Sequence, residues 1–169
     1  MENDEVVSLE YRVKKSFEGK YFIGHTPVLA MYGYNAWAGL FNPGSSKVNL
    51  YINTFTITNY SSAPFPAQLW LNSSPEGKRM TSSFVSPANT AKVPPAKPEA
   101  YLLYSQNVTS PPSNGVSILT RISGANSTEV GNYYGKIIIP PGGSFIVFLY
   151  SPGAQLANAE VAFGWWEDK

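Results

Sequence analysis

The chain has 169 residues and a net charge of +1; charged residues make up only 14% of it, with no cysteine and one histidine, His25. Its two aspartates, Asp4 and Asp168, lie at the extreme ends, so the body between them is short of positioned acids, bases, nucleophiles and metal ligands. Disulfides are excluded, and the length suits one domain with a core of its own.

The charges are uneven: nine fall in residues 1–20, four in 160–169 and ten in the whole of 21–159. A body this neutral tolerates close contact with another neutral surface. Lys14–Lys15 and Lys78–Arg79 are the only basic pairs, which argues against nucleic-acid binding. The longest apolar run, Phe145 to Tyr150, is strand-sized, so membrane insertion is not expected. The start, Met1-Glu2-Asn3-Asp4-Glu5, lacks the apolar region of a secretory signal. We therefore expect synthesis in the cytoplasm.

In chain order, Val7, Leu9, Tyr11 and Val13 alternate with polar residues and predict a strand within an N-terminal arm, residues 1–18. Shorter strands are expected at Tyr21–Ile23, Val28–Tyr32 and Ala36–Phe41. A long one covers Lys47–Thr58, with Val48, Leu50 and Ile52 on one face and Tyr51, Phe55 and Ile57 on the other. Ala67–Leu71, Ala100–Tyr104, Val116–Ile122, Tyr134–Ile139, Ser144–Tyr150 and Ala159–Trp166 complete the set. No helical period stands out. Turns such as Asn42-Pro43-Gly44, Ser74-Pro75-Glu76-Gly77 and Pro140-Pro141-Gly142-Gly143 separate the strands. The pattern predicts an all-β, antiparallel β-sandwich of jelly-roll type over residues 19–169, with the proline-rich segment Ser86–Pro98 crossing between sheets.

Candidate sites are few. His25 has Glu18 as its nearest acidic neighbour upstream, too little for a triad or a metal centre, and reads as a turn histidine bonded to backbone. Glu76, Glu99 and Glu129 are too scattered for a calcium loop, so no cofactor or metal is expected. The sequons at Asn59, Asn72, Asn107 and Asn126 read as ordinary loop and strand residues. Trp37, Trp70, Trp165 and Trp166 could serve as core, as a subunit interface or as a glycan-stacking platform. Trp165 and Trp166 are adjacent and so point to opposite faces of a strand; both can be buried only if both faces are covered.

The segments Tyr34–Pro43, Ser62–Trp70, Pro140–Leu149 and Val161–Glu167 together resemble an uncharacterised all-β family of endospore-forming Firmicutes, over roughly residues 19–167. That resemblance implies no catalytic residues. More loosely, the arm Met1–Lys15 and the Pro140–Tyr150 turn and strand are similar to the jelly-roll subunits of endospore appendage fibres. Such subunits join end to end through an N-terminal extension. Those fibres are disulfide-cross-linked, whereas this chain has no cysteine. The resemblance, with the neutral body and the arm, implies a non-enzymatic, self-assembling structural subunit of an extracellular or spore-surface fibre, a homo-oligomer or filament joined head to tail, in which Val7, Leu9, Tyr11 and Val13 add a strand to the next copy, deployed on the spore or cell surface. The alternative is a glycan- or cell-wall-binding module.

Overall fold

The computed structural model describes residues 8–169. One helix, α1 (Tyr11–Phe17), precedes twelve strands: β1 (Tyr21–His25), β2 (Leu29–Met31), β3 (Asn35–Phe41), β4 (Asn49–Asn59), β5 (Phe65–Leu71) and β6 (Met80–Thr81), then β7 (Val85–Pro87), β8 (Tyr101–Val108), β9 (Val116–Ser123), β10 (Ser127–Ile139), β11 (Ser144–Leu149) and β12 (Ala157–Asp168). They form two antiparallel sheets packed as a sandwich. The first has the order β10-β4-β12-β1-β7, with β2 also paired to β12; the second has the order β6-β8-β3-β11-β5-β9. Without β2, β6, β7 and the inserted β8, the eight remaining strands run 6-3-8-1 and 2-7-4-5, the order of a jelly roll. The Ser86–Pro98 segment does cross between sheets, from β7 in the first to β8 in the second.

Alternation decides which side chains enter the core, and one irregularity corrects the expected faces of β4. Gly164 pairs with Thr54 but Trp165 with Ile52, so Asn53 is an extra residue on β4. The bulge reverses the phase, and Leu50, Ile52, Phe55 and Ile57 all point inward, fully buried. β11 is buried along its whole length because both of its faces are covered. Its inner face meets the main core; its outer face, with Ile146 and Phe148, joins a second cluster around Trp37. The loop after β5 caps that cluster: Trp37 Nε1 donates to the Glu76 carbonyl at 2.7 Å, and the Arg79 guanidinium lies over the Phe41 ring.

The N-terminal strand is a correction. From Tyr11 the chain is helical, and Val7 lies outside the described residues. Leu9, Tyr11 and Val13 satisfy a period of two, yet Tyr11 and Lys15, four apart, share a helical face that finds partners on the chain's own first sheet. A helix stop follows. Gly19 has φ +74°, its N–H donates to Ser16 O, and Lys20 N–H donates to Lys15 O, both at 2.9 Å.

Glu167 ties the far end of the crossover to β12. Its buried carboxylate accepts from Glu99 N–H at 2.8 Å, Ala100 N–H at 3.0 Å and Trp165 Nε1–H at 3.1 Å. Replacing it leaves the buried Ala100 and Trp165 donors, and the half-buried Glu99 N–H, without their partner. Glu167→Ala is expected to lower stability by about 2–4 kcal/mol, read as a shifted urea midpoint with unchanged slope.

Candidate functional site

Trp165 and Trp166 occupy opposite faces of β12, as adjacency on a strand requires. Trp165 is in the main core, against Phe22. Trp166 lies on the outer face of the first sheet, yet is only 3% exposed. It stacks on Tyr51 (ring centroids 5.3 Å apart) and on Tyr21 (6.4 Å), and Tyr11 of α1 meets it edge-on at 6.0 Å. Gly135 of the β10 bulge closes another side. The helix is therefore the lid over Trp166.

Ion pairs hold that lid. Lys15, 5% exposed, bonds Asp168 and Glu18, and Lys20 reaches Asp168 at 2.7 Å. Arg12 reaches Asn53 at 3.4 Å and lies over the Tyr134 ring. Burial works against the Lys15 ammonium, but hydrogen bonds to Asp168, Glu18 and Tyr11 together outweigh it and raise its pKa. Hydrogen bonds from Lys15 and Lys20 hold the Asp168 carboxyl well below the usual carboxylate range.

The helix is inverted for an amphipathic element. It sets Tyr11, itself half-exposed, and the buried Lys15 against the sheet, while Val13 and Phe17 lie on the other side, bordering the segment 88–91; Phe17 is 65% exposed, and Leu9, just before the helix, is exposed as well.

Beside the helix, on the same outer face, lies an open groove of about 580 Å³. Two cross-strand rows make its floor, Ile23–Gly164–Thr54 and His25–Ala162–Thr56, and the Ser83–Ser86 segment makes one wall. The His25 ring stacks on Phe84 at 4.8 Å. His25 Nδ1 lies 2.7 Å from Thr26 O and 3.3 Å from Glu160 Oε1. The backbone bond was expected; Glu160 was not, because it is far away in sequence and is brought close only by the β1–β12 pairing. The pair is the orienting half of a triad, but no hydroxyl hydrogen-bonds the other ring nitrogen among the described residues. Nor do three or more His, Asp or Glu side chains gather as metal ligands there.

The two ends of the sheets differ. On one side the sheets end in β6 and β7, two and three residues long. On the other they end in β9 and β10, eight and thirteen residues long. β10 is interrupted by a bulge between Asn132 and Ile137, which carries Lys136. β9 holds neither Lys nor Pro and exposes Val116, Ile118 and Ile122; Val116 and Ile122 are each 62% exposed. Arg121 of β9 bonds Glu129 of β10 at 2.6 Å and so joins the two sheets at this side.

The tryptophans do not form a platform. Trp37, Trp165 and Trp166 are buried within the single chain, and only Trp70 is partly accessible, its Nε1–H donating to Gln68 at 3.2 Å. Of the expected arm residues, Leu9, Tyr11 and Val13 are gathered at the helix rather than along a strand.

Two outcomes check the lid. Gly135 has φ +81°, and an added Cβ would fall 2.0 Å from the Trp166 ring, so Gly135→Ala should cost about 2–4 kcal/mol in thermal or urea unfolding. Asp168 has its pKa lowered on folding, so its contribution is complete above the ordinary carboxyl value of 3.8 and is lost as pH falls through the depressed folded value. Lys15 has its pKa raised, so its contribution is complete below 10.5 and is lost only as pH rises through the raised folded value. The Trp166 near-ultraviolet dichroism should therefore hold across neutral pH and fade in strong acid, and Asp168→Asn should weaken it at pH 7.

No curated protein and no solved structure shows significant similarity to the chain. A family profile matches residues 1–169 in full, and the chain belongs to the family of unknown function DUF6143.

Proposed function

We propose that this protein is a non-enzymatic structural subunit that assembles with copies of itself through the open side of its sandwich. The observation that carries the reading is the contrast between the sheet edges. An unpaired edge strand is a template for another strand, and folded proteins blunt such edges with short strands, lysines, prolines and bulges. Here one side is blunted by β6 and β7, and β10 is interrupted by its bulge. β9 has one bulge of its own, at Ile118, but it keeps an unbroken ladder with β5 from Leu119 to Ser123, carries neither Lys nor Pro, and shows a row of exposed Val and Ile. Antiparallel pairing of β9 with β9 of a second copy places the same surface on both sides of a two-fold axis. The scarcity of charge over residues 21–159 leaves little repulsion between such surfaces.

The arm does not supply the strand in this reading, because Tyr11 and Val13 belong to a helix on their own subunit. The glycan alternative has less support, since three of the four tryptophans are buried. Light scattering and electron microscopy of the purified chain test the proposal. Species well above 18.5 kDa should grow with concentration, and Ile122→Lys or Val116→Lys should weaken assembly at least about tenfold while leaving the fold intact. A wild-type chain that stays at 18.5 kDa at high concentration, or edge variants that assemble like wild type, would contradict it.

A further inference from the structure

One two-fold contact makes a pair and stops there; a longer assembly needs a second contact elsewhere on the subunit. We infer that the outer face of the first sheet is that second interface, with α1 of each copy seated in the sheet groove of the other. This goes beyond the β9 contact and does not depend on it.

The ridge and the groove share one face, side by side. The row Tyr21–Trp166–Tyr51 carries the helix, and the next two rows, Ile23–Gly164–Thr54 and His25–Ala162–Thr56, are the groove floor. Rows on one face repeat every two residues, roughly 7 Å, so the centres of ridge and groove lie on the order of 10 Å apart. The helix stands above the sheet on Tyr11 and Lys15, and its other side shows Val13 and Phe17, which border the chain's own segment 88–91 but stay exposed. The floor beside it is low because Gly164, Ala162, Thr54 and Thr56 are small. At Gly164 an added Cβ would fall 2.8 Å from the Tyr21 hydroxyl. A raised step beside a lowered one is self-complementary: a two-fold axis between them brings each Phe17 over the partner's groove.

Charge agrees with shape. Lys14, 61% exposed and only loosely paired with Glu18 at 3.9 Å, flanks the outward row on the helix, whereas Glu160, beside His25, stands one row beyond the groove floor. The face between is uncharged, with Thr54, Thr56 and Ala162. The two-fold arrangement brings the cation of each copy toward the carboxylate of the other. The occupant is thus a second copy of this chain, offering an apolar helix row with a lysine beside it. Combined with β9 pairing, it makes subunits alternate between two different two-fold contacts, so each copy joins two others.

The test uses the full-length chain with the β9 edge blocked by Ile122→Lys, so that only the face contact remains. This parent should still dimerise in light scattering. Phe17→Lys on the ridge, or Ala162→Glu in the groove, should each weaken the dimer at least about tenfold. Thr56→Glu is a second groove variant in case Ala162→Glu unfolds, and circular dichroism checks each fold. Mixing the Phe17→Lys and Ala162→Glu chains should restore dimers, because one wild-type ridge then meets one wild-type groove. A monomeric parent, even while wild type still assembles through β9, would overturn the inference and leave the edge reading standing. Loss of the dimer with Phe17→Lys but not with either groove variant would mean helix-on-helix pairing and would overturn it too. So would a parent that dimerises only after residues 1–7 are removed, since the groove would then belong to the chain's own N-terminus.

Discussion

Two adjacent tryptophans on one strand set the terms for this molecule. Trp165 and Trp166 must leave β12 in opposite directions, and both are buried. A sandwich covers only the inner face of each sheet, so Trp166 needs cover from outside it. Tyr21, Tyr51 and α1 provide that cover, and the ion pairs of Lys15 and Lys20 with Asp168 fasten the helix to the last residues of β12. The two charge-rich ends of the chain, which look like solvated tails in composition, meet in one place.

That lid accounts for what the rest of the surface presents. A helix that buries Lys15 and lays Tyr11 against Trp166 leaves Val13 and Phe17 exposed beside Lys14, so apolar side chains face outward where polar ones are usual. The same sheet face continues past the helix as a shallow floor of small residues. Ridge and groove are consequences of one packing solution rather than separate features. The open β9 edge is independent of both, since it belongs to the other sheet.

Much of the architecture was legible because alternation and turn chemistry report directly on half-buried strands. The crossover at Ser86–Pro98 and most strands from Tyr21 onward were readable on those grounds alone, though the short β6 and β7 and the first half of β10, residues 127–133, were not. The faces of β4 were not, because one inserted residue, Asn53, shifts the phase without leaving a mark in the local pattern. The first segment was misread for a related cause. Leu9, Tyr11 and Val13 fit a strand, while the helical choice depends on Trp166 and Asp168, more than 150 residues away. Its local signal was the stop at Gly19, preceded by Lys14 and Lys15 in the last turn, where cations favour a helix end. Glu160 beside His25 was invisible for the same reason of long-range pairing. The tryptophans stayed open between core, interface and glycan platform in the sequence, because residue type does not distinguish a core ring from an interface ring.

The account stands or falls on whether β9 is an edge in the free subunit and an interior strand in the assembly. Hydrogen exchange of the β9 amides, followed from dilute to concentrated protein, reads this directly. Exchange at Leu119–Ser123 should slow markedly with concentration while the buried β11 strand changes little. Equal exchange at β9 under all concentrations, in a chain whose mass remains 18.5 kDa, would contradict the account.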